Sequence, residues 1–202
     1  MPFQNRVDPY GALFRTPARG TLMGNRGGAL HNESQEIVRS YKSRRWIACL
    51  LKFKGIQRTV MSPKLLYTEL FFLDEAVSFA AGHRPCAECR RERFTAFVNA
   101  WNRPLRVPDL DAELHNARID RQGRKVTFPA PLHSLPNGCF IDIDGSSYMV
   151  WDDALFLWTP GGYTRKQHRP NNQTVTVLTP RPTVECFRRG YQPLTHASVH
   201  TL

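Results

Sequence analysis

Residues 69–94 read ELFFLDEAVSFAAGHRPCAECRRERF, and the order of elements they encode sets the class of the fold. The run YTELFFL, residues 67–73, is rich in aromatic and aliphatic side chains and predicts a short strand. Asp74 is placed to cap a helix with Glu75 in its first turn, and EAVSFAA supplies one or two turns before Gly82 stops them. Pro85 suits the first turn of a second helix. From about Ala87 to Trp101, the apolar Phe94, Phe97, Val98 and Trp101 recur at i, i+3, i+4 and i+7, while Arg90, Arg91 and Arg93 fall mostly on other faces. Cys86-Ala87-Glu88-Cys89 therefore stands as a CxxC pair at a helix N-terminus.

Working outward, residues 1–28 are rich in Gly, Arg, Asn and Pro and end in a basic glycine turn, RGTLMGNRGG, whose backbone N–H groups can approach a phosphate. RRWIACLLKFKG and IQRTVM predict a hairpin about Lys54-Gly55. NRPLRVP is a proline-bearing break, and residues 109–119 predict a short acidic helix. NGCFIDIDGSSYMVWDDALFLWTPGGY alternates like a three-stranded meander with turns at Asn137-Gly138, Asp144-Gly145 and Asp152-Asp153. TVTVL is a late strand and PTVECFRRG a late helix. The expectation is an α+β fold. Residues 1–103 carry the CxxC and a basic N-terminal segment; residues 104–202 form a β-rich second part that can pack with the first as one domain.

The chain has 202 residues, 41% of them hydrophobic, enough for a core without disulfides. No stretch approaches the roughly 20 apolar residues of a membrane span, and the N-terminus lacks the apolar centre of a secretory signal. A cytoplasmic, reducing setting is the default, in which Cys49, Cys86, Cys89, Cys139 and Cys186 read as thiols or metal ligands. The net charge of +11 is uneven: residues 1–66 hold 12 Lys/Arg against 3 Asp/Glu, whereas residues 108–159 hold 8 acids against 4 bases. Such asymmetry points to a polyanionic partner, DNA or RNA, or to a solvated basic surface.

A CxxC supports tetrahedral Zn²⁺ binding, dithiol redox chemistry or plain packing. Redox use expects the pair to follow a strand of a βαβ unit, and here a helix and a glycine precede it. Glu75-Ala76, Ala81-Gly82, Arg84-Pro85, Cys86 and Cys89 fall in the register of an Ada-type metal-binding domain, which residues 69–94 resemble. The resemblance implies a structural zinc held by Cys86 and Cys89 with two further ligands from upstream, in a module of DNA-repair and nuclease-associated proteins. The family's upstream Cys-x-x-x-Cys is missing, which leaves His31, Cys49 and His83 as candidates. It also leaves the family's methyl-transfer chemistry without its thiolate.

The same residues spell a rival pattern. His31-Asn32-Glu33 with Pro85-Cys86-Ala87-Glu88-Cys89 matches H-x-E…P-C-x-x-C, in which Glu33 would serve a zinc-dependent hydrolase or deaminase with a metal-bound water. Asp109, Asp111, Glu113, His115, Asp142 and Asp144 offer carboxylates for Mg²⁺ or for turns. Trp151, Phe156, Trp158 and Tyr163 offer stacking faces or core. On the nucleic-acid reading, Arg44, Arg45, Arg84, Arg90, Arg91 and Arg93 face phosphates.

Overall fold

The computed structural model describes residues 1–57, 59–64 and 66–202. Among them the chain is an α+β fold of two six-stranded sheets and four α-helices. The first sheet contains β1 (Arg6–Val7), β2 (Leu13–Phe14), β3 (Leu22–Asn25), β4 (Ile47–Leu50), β5 (Leu70–Phe72) and β6 (Arg84–Pro85), in the spatial order β2-β1-β5-β3-β4-β6. The second contains β7 (Phe128–Pro131), β8 (Phe140–Ile143), β9 (Ser146–Trp151), β10 (Ala154–Thr159), β11 (Gly162–His168) and β12 (Thr174–Val177), ordered β11-β10-β9-β8-β12-β7. The helices are α1 (Glu75–Ala80), α2 (Arg91–Trp101), α3 (Val107–Arg118) and α4 (Arg181–Arg188).

α1 holds the molecule together. Asp74 caps it by accepting the Val77 N–H at 2.9 Å, as its place in the sequence predicts. All six of its residues are buried. Phe79 packs into a core shared with α2, α3, α4 and the second sheet. Ala76, Val77 and Ala80 pack into another, built from the first sheet together with Phe140, Met149 and Phe156 of the second. Both cores thus draw on residues either side of position 103, so the proline-bearing connection after α2 is not a gap in packing.

The acids at the start of α1 reach further. The second Asp74 oxygen accepts from Tyr163 Oη at 2.8 Å and the His196 N–H at 2.9 Å. Glu75, 1% exposed, accepts from Arg90 and Arg93, each at 2.6 Å, from Tyr191 Oη at 2.7 Å and from the Leu194 N–H at 2.8 Å.

Three local readings are corrected. The strand expected over residues 56–61 is absent among the described residues, Arg58 lying outside them. The Lys54-Gly55 turn forms with φ of 51° and 65°, but both flanks of β4 are already taken, antiparallel by β3 and parallel by β6. Pro85 is a strand residue opposite Ala48, and α2 starts only at Arg91, so the CxxC occupies a turn. The glycine turn of residues 20–28 contains β3. A Cβ on Gly24 would meet Ile47 O at 2.2 Å, so only glycine lets β3 lie this close to β4.

Candidate metal centre

The pairing of β4 with β6 creates the site. Arg84 N donates to Trp46 O at 3.1 Å and Cys86 N to Ala48 O at 2.9 Å. Pro85, which lacks an N–H, sits between these two bonds. This register carries the end of β6 past Ala48 and sets Cys86 against Cys49. The turn over residues 87–90 then brings Cys89 back, where its sulfur accepts from Leu50 N at 3.4 Å. The three Sγ atoms lie within 4.8 Å of one another, Cys49 buried and the other two half-buried.

The electrostatics suit a cation. Cys86 is pushed well below the ordinary thiol range, first by the hydrogen bond from the Cys49 thiol and then by the Cys89 and Glu88 backbone N–H groups. Cys49 is held far above it by that same bond and by burial. Burial and the charge on Cys86 raise Cys89 as well. The trio thus holds one thiolate ready and two thiols whose protons a metal would displace. With Zn–S near 2.3 Å, tetrahedral thiolates stand about 3.8 Å apart, a spacing compatible with three sulfurs within 4.8 Å of one another. The donor set fits Zn²⁺, with one tetrahedral corner left to a donor outside the three.

His31 does not join them. It is buried, its Nδ1 lies 2.6 Å from Thr68 Oγ1, and its Nε2 lies 3.1 Å from Ser62 O. Glu33 is exposed on the same segment. His83 is not grouped with the cysteines either: its ring lies 4.6 Å from that of Phe72 and 5.1 Å from that of Trp46, and its Nε2 accepts from Arg26 at 3.3 Å.

The arginines divide. Arg84 is buried in a bidentate pair with Asp111 at 2.7 and 2.8 Å. Arg90 is buried on Glu75, and Arg93 bridges Glu75 and Gln192 O. Buried carboxylates claim all three: Arg84 and Arg90 are shut from solvent, and Arg93, 30% exposed, is tied to Glu75. Arg44, Arg45 and Arg91 are exposed, as are Lys52 and Lys54 on the loop after Cys49.

The acidic candidates are likewise dispersed: Asp109 pairs with Arg106, Glu113 with Arg103 and Asp142 with Tyr10. Phe156 and Tyr163 are core residues, and Trp151 and Trp158 pack partly against it.

One group of residues escaped the sequence reading. Arg26, Arg118 and Lys125 line one cavity with Trp46 at the other end of β4, Arg26 from the glycine turn and the other two from the end of α3 and the turn after it. No spacing announces them; the one local signal is Arg26 inside the basic glycine turn.

Comparison of the chain with protein-family models, with curated proteins and with solved structures gave no match.

Proposed function

We propose that the protein holds Zn²⁺ through Cys49, Cys86 and Cys89 and binds nucleic acid, with the metal fixing the junction between β4 and the CxxC turn. The observation that carries this reading is the convergence of three thiols within 4.8 Å from two hydrogen-bonded strands. The resemblance of residues 69–94 to an Ada-type domain supports it, with Cys49 in the place of one upstream ligand. The charge of +11 supports the polyanion, and Arg44, Arg45, Arg91, Lys52 and Lys54 are the exposed cations available to it.

The three-ligand count favours one second reading, a zinc-dependent hydrolase or deaminase. Deaminases with a three-cysteine site use a glutamate two residues after the first ligand where HxE supplies it; here that position is Leu51. Glu88, inside the CxxC, is exposed and paired with Lys54. The structural role is therefore the better supported.

Elemental analysis of purified protein tests the metal. About one zinc per chain is expected, lost in Cys49→Ser and Cys86→Ser and kept in Cys139→Ala; full zinc in Cys86→Ser ends the reading. Fluorescence anisotropy with DNA and RNA tests the partner. Affinity that is absent at low salt, or that fails to weaken as salt rises, contradicts the electrostatic argument.

A further inference from the structure

Beside the Trp46 end of β4 lies a cavity of about 350 Å³, walled by the N-terminal loop, the segment around Ser40 and Tyr41, and the turn before Lys125. Three cations line it. Arg26 and Arg118 are each 1% exposed, and each guanidinium carbon lies 4.0 Å from the centre of the Trp46 ring. Arg26 donates to Gly11 O at 2.8 Å, Ser40 O at 3.2 Å and His83 Nε2 at 3.3 Å. Arg118 bonds Gly82 O at 2.9 Å and Arg44 O at 2.6 Å, and lies 3.0 Å from His115 Nδ1. Lys125 donates to Ala80 O at 2.6 Å.

Carbonyls satisfy N–H groups but do not cancel charge. Among the described residues, no carboxylate lies within ion-pair distance of these three cations. Asp8 is the acid whose field reaches Arg26 and Lys125. Asp111 reaches Arg118 but is already bound by Arg84 on both oxygens. His83 and His115 stay neutral, each depressed first by burial and then by neighbouring arginines. With all three protonated, the cations against Asp8 leave an excess of two positive charges; burial and the neighbouring arginines push Lys125 down to about 7, so an incoming anion would also restore its proton. Donors are also left over: a guanidinium offers five N–H groups, of which Arg26 uses three. Buried cations without counter-charge are costly, and stacking on Trp46 with carbonyl bonds offsets only part of that cost for the two arginines.

We propose that this cavity binds the dianion of a phosphate monoester, with Arg26, Arg118 and Lys125 gripping the phosphate and Tyr41 and Trp46 walling the organic part. A dianion matches the excess charge where a lone carboxylate would leave half of it. The N–H groups that the two arginines leave unused, and the Lys125 ammonium, suit phosphate oxygens as acceptors. The volume sits at the small end of ligand pockets, roughly 300–1,000 Å³, which leaves room for a modest organic body. Arg39, Lys42 and Arg44, exposed beside Ser40 and Tyr41, steer anions toward it. The ester is either a free mononucleotide-sized molecule or the terminal phosphate of a nucleic-acid strand. The site stands on its own residues, apart from the metal and from the nucleic-acid reading.

Calorimetric titration of the intact protein with inorganic phosphate and adenosine monophosphate tests it, alongside matched oligonucleotides bearing a 5′-phosphate or a 5′-hydroxyl. Adenosine is the control without phosphate. Phosphate and the monophosphate should bind and adenosine should not. Lys125→Met should weaken binding at least about tenfold while leaving the melting temperature of the ligand-free protein unchanged or higher, since an uncompensated cation has gone. Because Arg118→Met removes bonds to Gly82 and Arg44 and endangers folding, Lys125→Met carries the test, with circular dichroism checking its fold. Preference for the 5′-phosphorylated strand identifies the strand end as the source; monophosphate binding with equal affinity for both strands identifies the small ester. No heat and no thermal stabilisation from phosphate or the monophosphate at millimolar concentration, or unchanged affinity in Lys125→Met, overturns the proposal. Nucleic-acid binding that survives that result would leave the earlier reading intact.

Discussion

Replacing Glu75 with glutamine is the sharpest test of how the CxxC turn is held. The carboxylate is 1% exposed and accepts four short hydrogen bonds, two of them from Arg90 and Arg93. Glutamine keeps the shape, but one of its two acceptor oxygens becomes an NH₂ that faces donors. The pair around Oε1 is Arg90 with Tyr191, and around Oε2 Arg93 with Leu194 N, so either orientation of the amide turns its NH₂ toward a guanidinium that cannot accept. It also removes the charge opposite Arg90, whose side chain is only 2% exposed. Breaking a buried ion pair from one side costs about 3–5 kcal/mol, and at roughly 2–4 °C per kcal/mol for a chain of this length the melting temperature should fall by about 6–20 °C. Arg90 directly follows Cys89, so zinc retention should weaken in parallel. Thermal melts by circular dichroism, with metal content measured on the same samples, check both effects. Glu75→Gln/Arg90→Met should recover part of the loss, because the unpaired charge is gone. A Glu75→Gln melt within about 0.5 kcal/mol of wild type, the usual range of surface changes, would refute the argument.

Four further outcomes follow from the same geometry. Arg44→Ala, Arg45→Ala and Arg91→Ala should each lower the salt slope of nucleic-acid binding by about one and leave the melting temperature nearly unchanged. Arg84→Ala instead should destabilise the fold by about 3–5 kcal/mol, because it leaves Asp111 buried and unpaired; denaturant titration separates the two classes. Burial, with Arg26 and Arg118 nearby, pushes Lys125 down to about 7 from an ordinary 10.5, so between those values the unfolded chain binds a proton the folded one does not. Stability should therefore rise with pH across that window, and the Lys125→Met melting profile should lack the rise. Gly24→Ala drives a methyl toward Ile47 O and should cost at least the about 1–3 kcal/mol of an overpacked site, read as a lower melting temperature with loosened thiols.

Local signals in the sequence were honoured where local forces decide. The Asp74 cap, the short α1, the apolar stripe of α2 and the aspartate-led turns all form, with Asp144 and Asp152 at φ of 51° and 52°. The meander is longer than expected, β8 to β11 running as four consecutive strands. What sequence could not show were choices made across distance. Pro85 has a fixed φ that suits a helix start and an extended strand alike. Tertiary pairing settled it, because Arg84 and Cys86 bond β4 while the residue between them needs no N–H on that side. That pairing is also what makes Cys49 a partner of the CxxC, although its IACLL setting reads as core. The fate of Arg84 and Arg90 depended on Asp111 and Glu75, acids 27 and 15 residues away that claimed them. Trp46 and its three cations gave no linear pattern, since three separate stretches supply them.

The margins of the two sheets bear on how the protein behaves among copies of itself. β2 and β6, at the two ends of the first sheet, are two residues long, and β6 is half proline. β7 closes one end of the second with prolines at alternate positions. An incoming strand finds little ladder to extend at any of these three margins. β11 is the long exception, seven residues, and it displays exposed Arg165 and Lys166 that repel an identical neighbour. A protein this rich in strand can therefore be concentrated without its sheets fusing edge to edge.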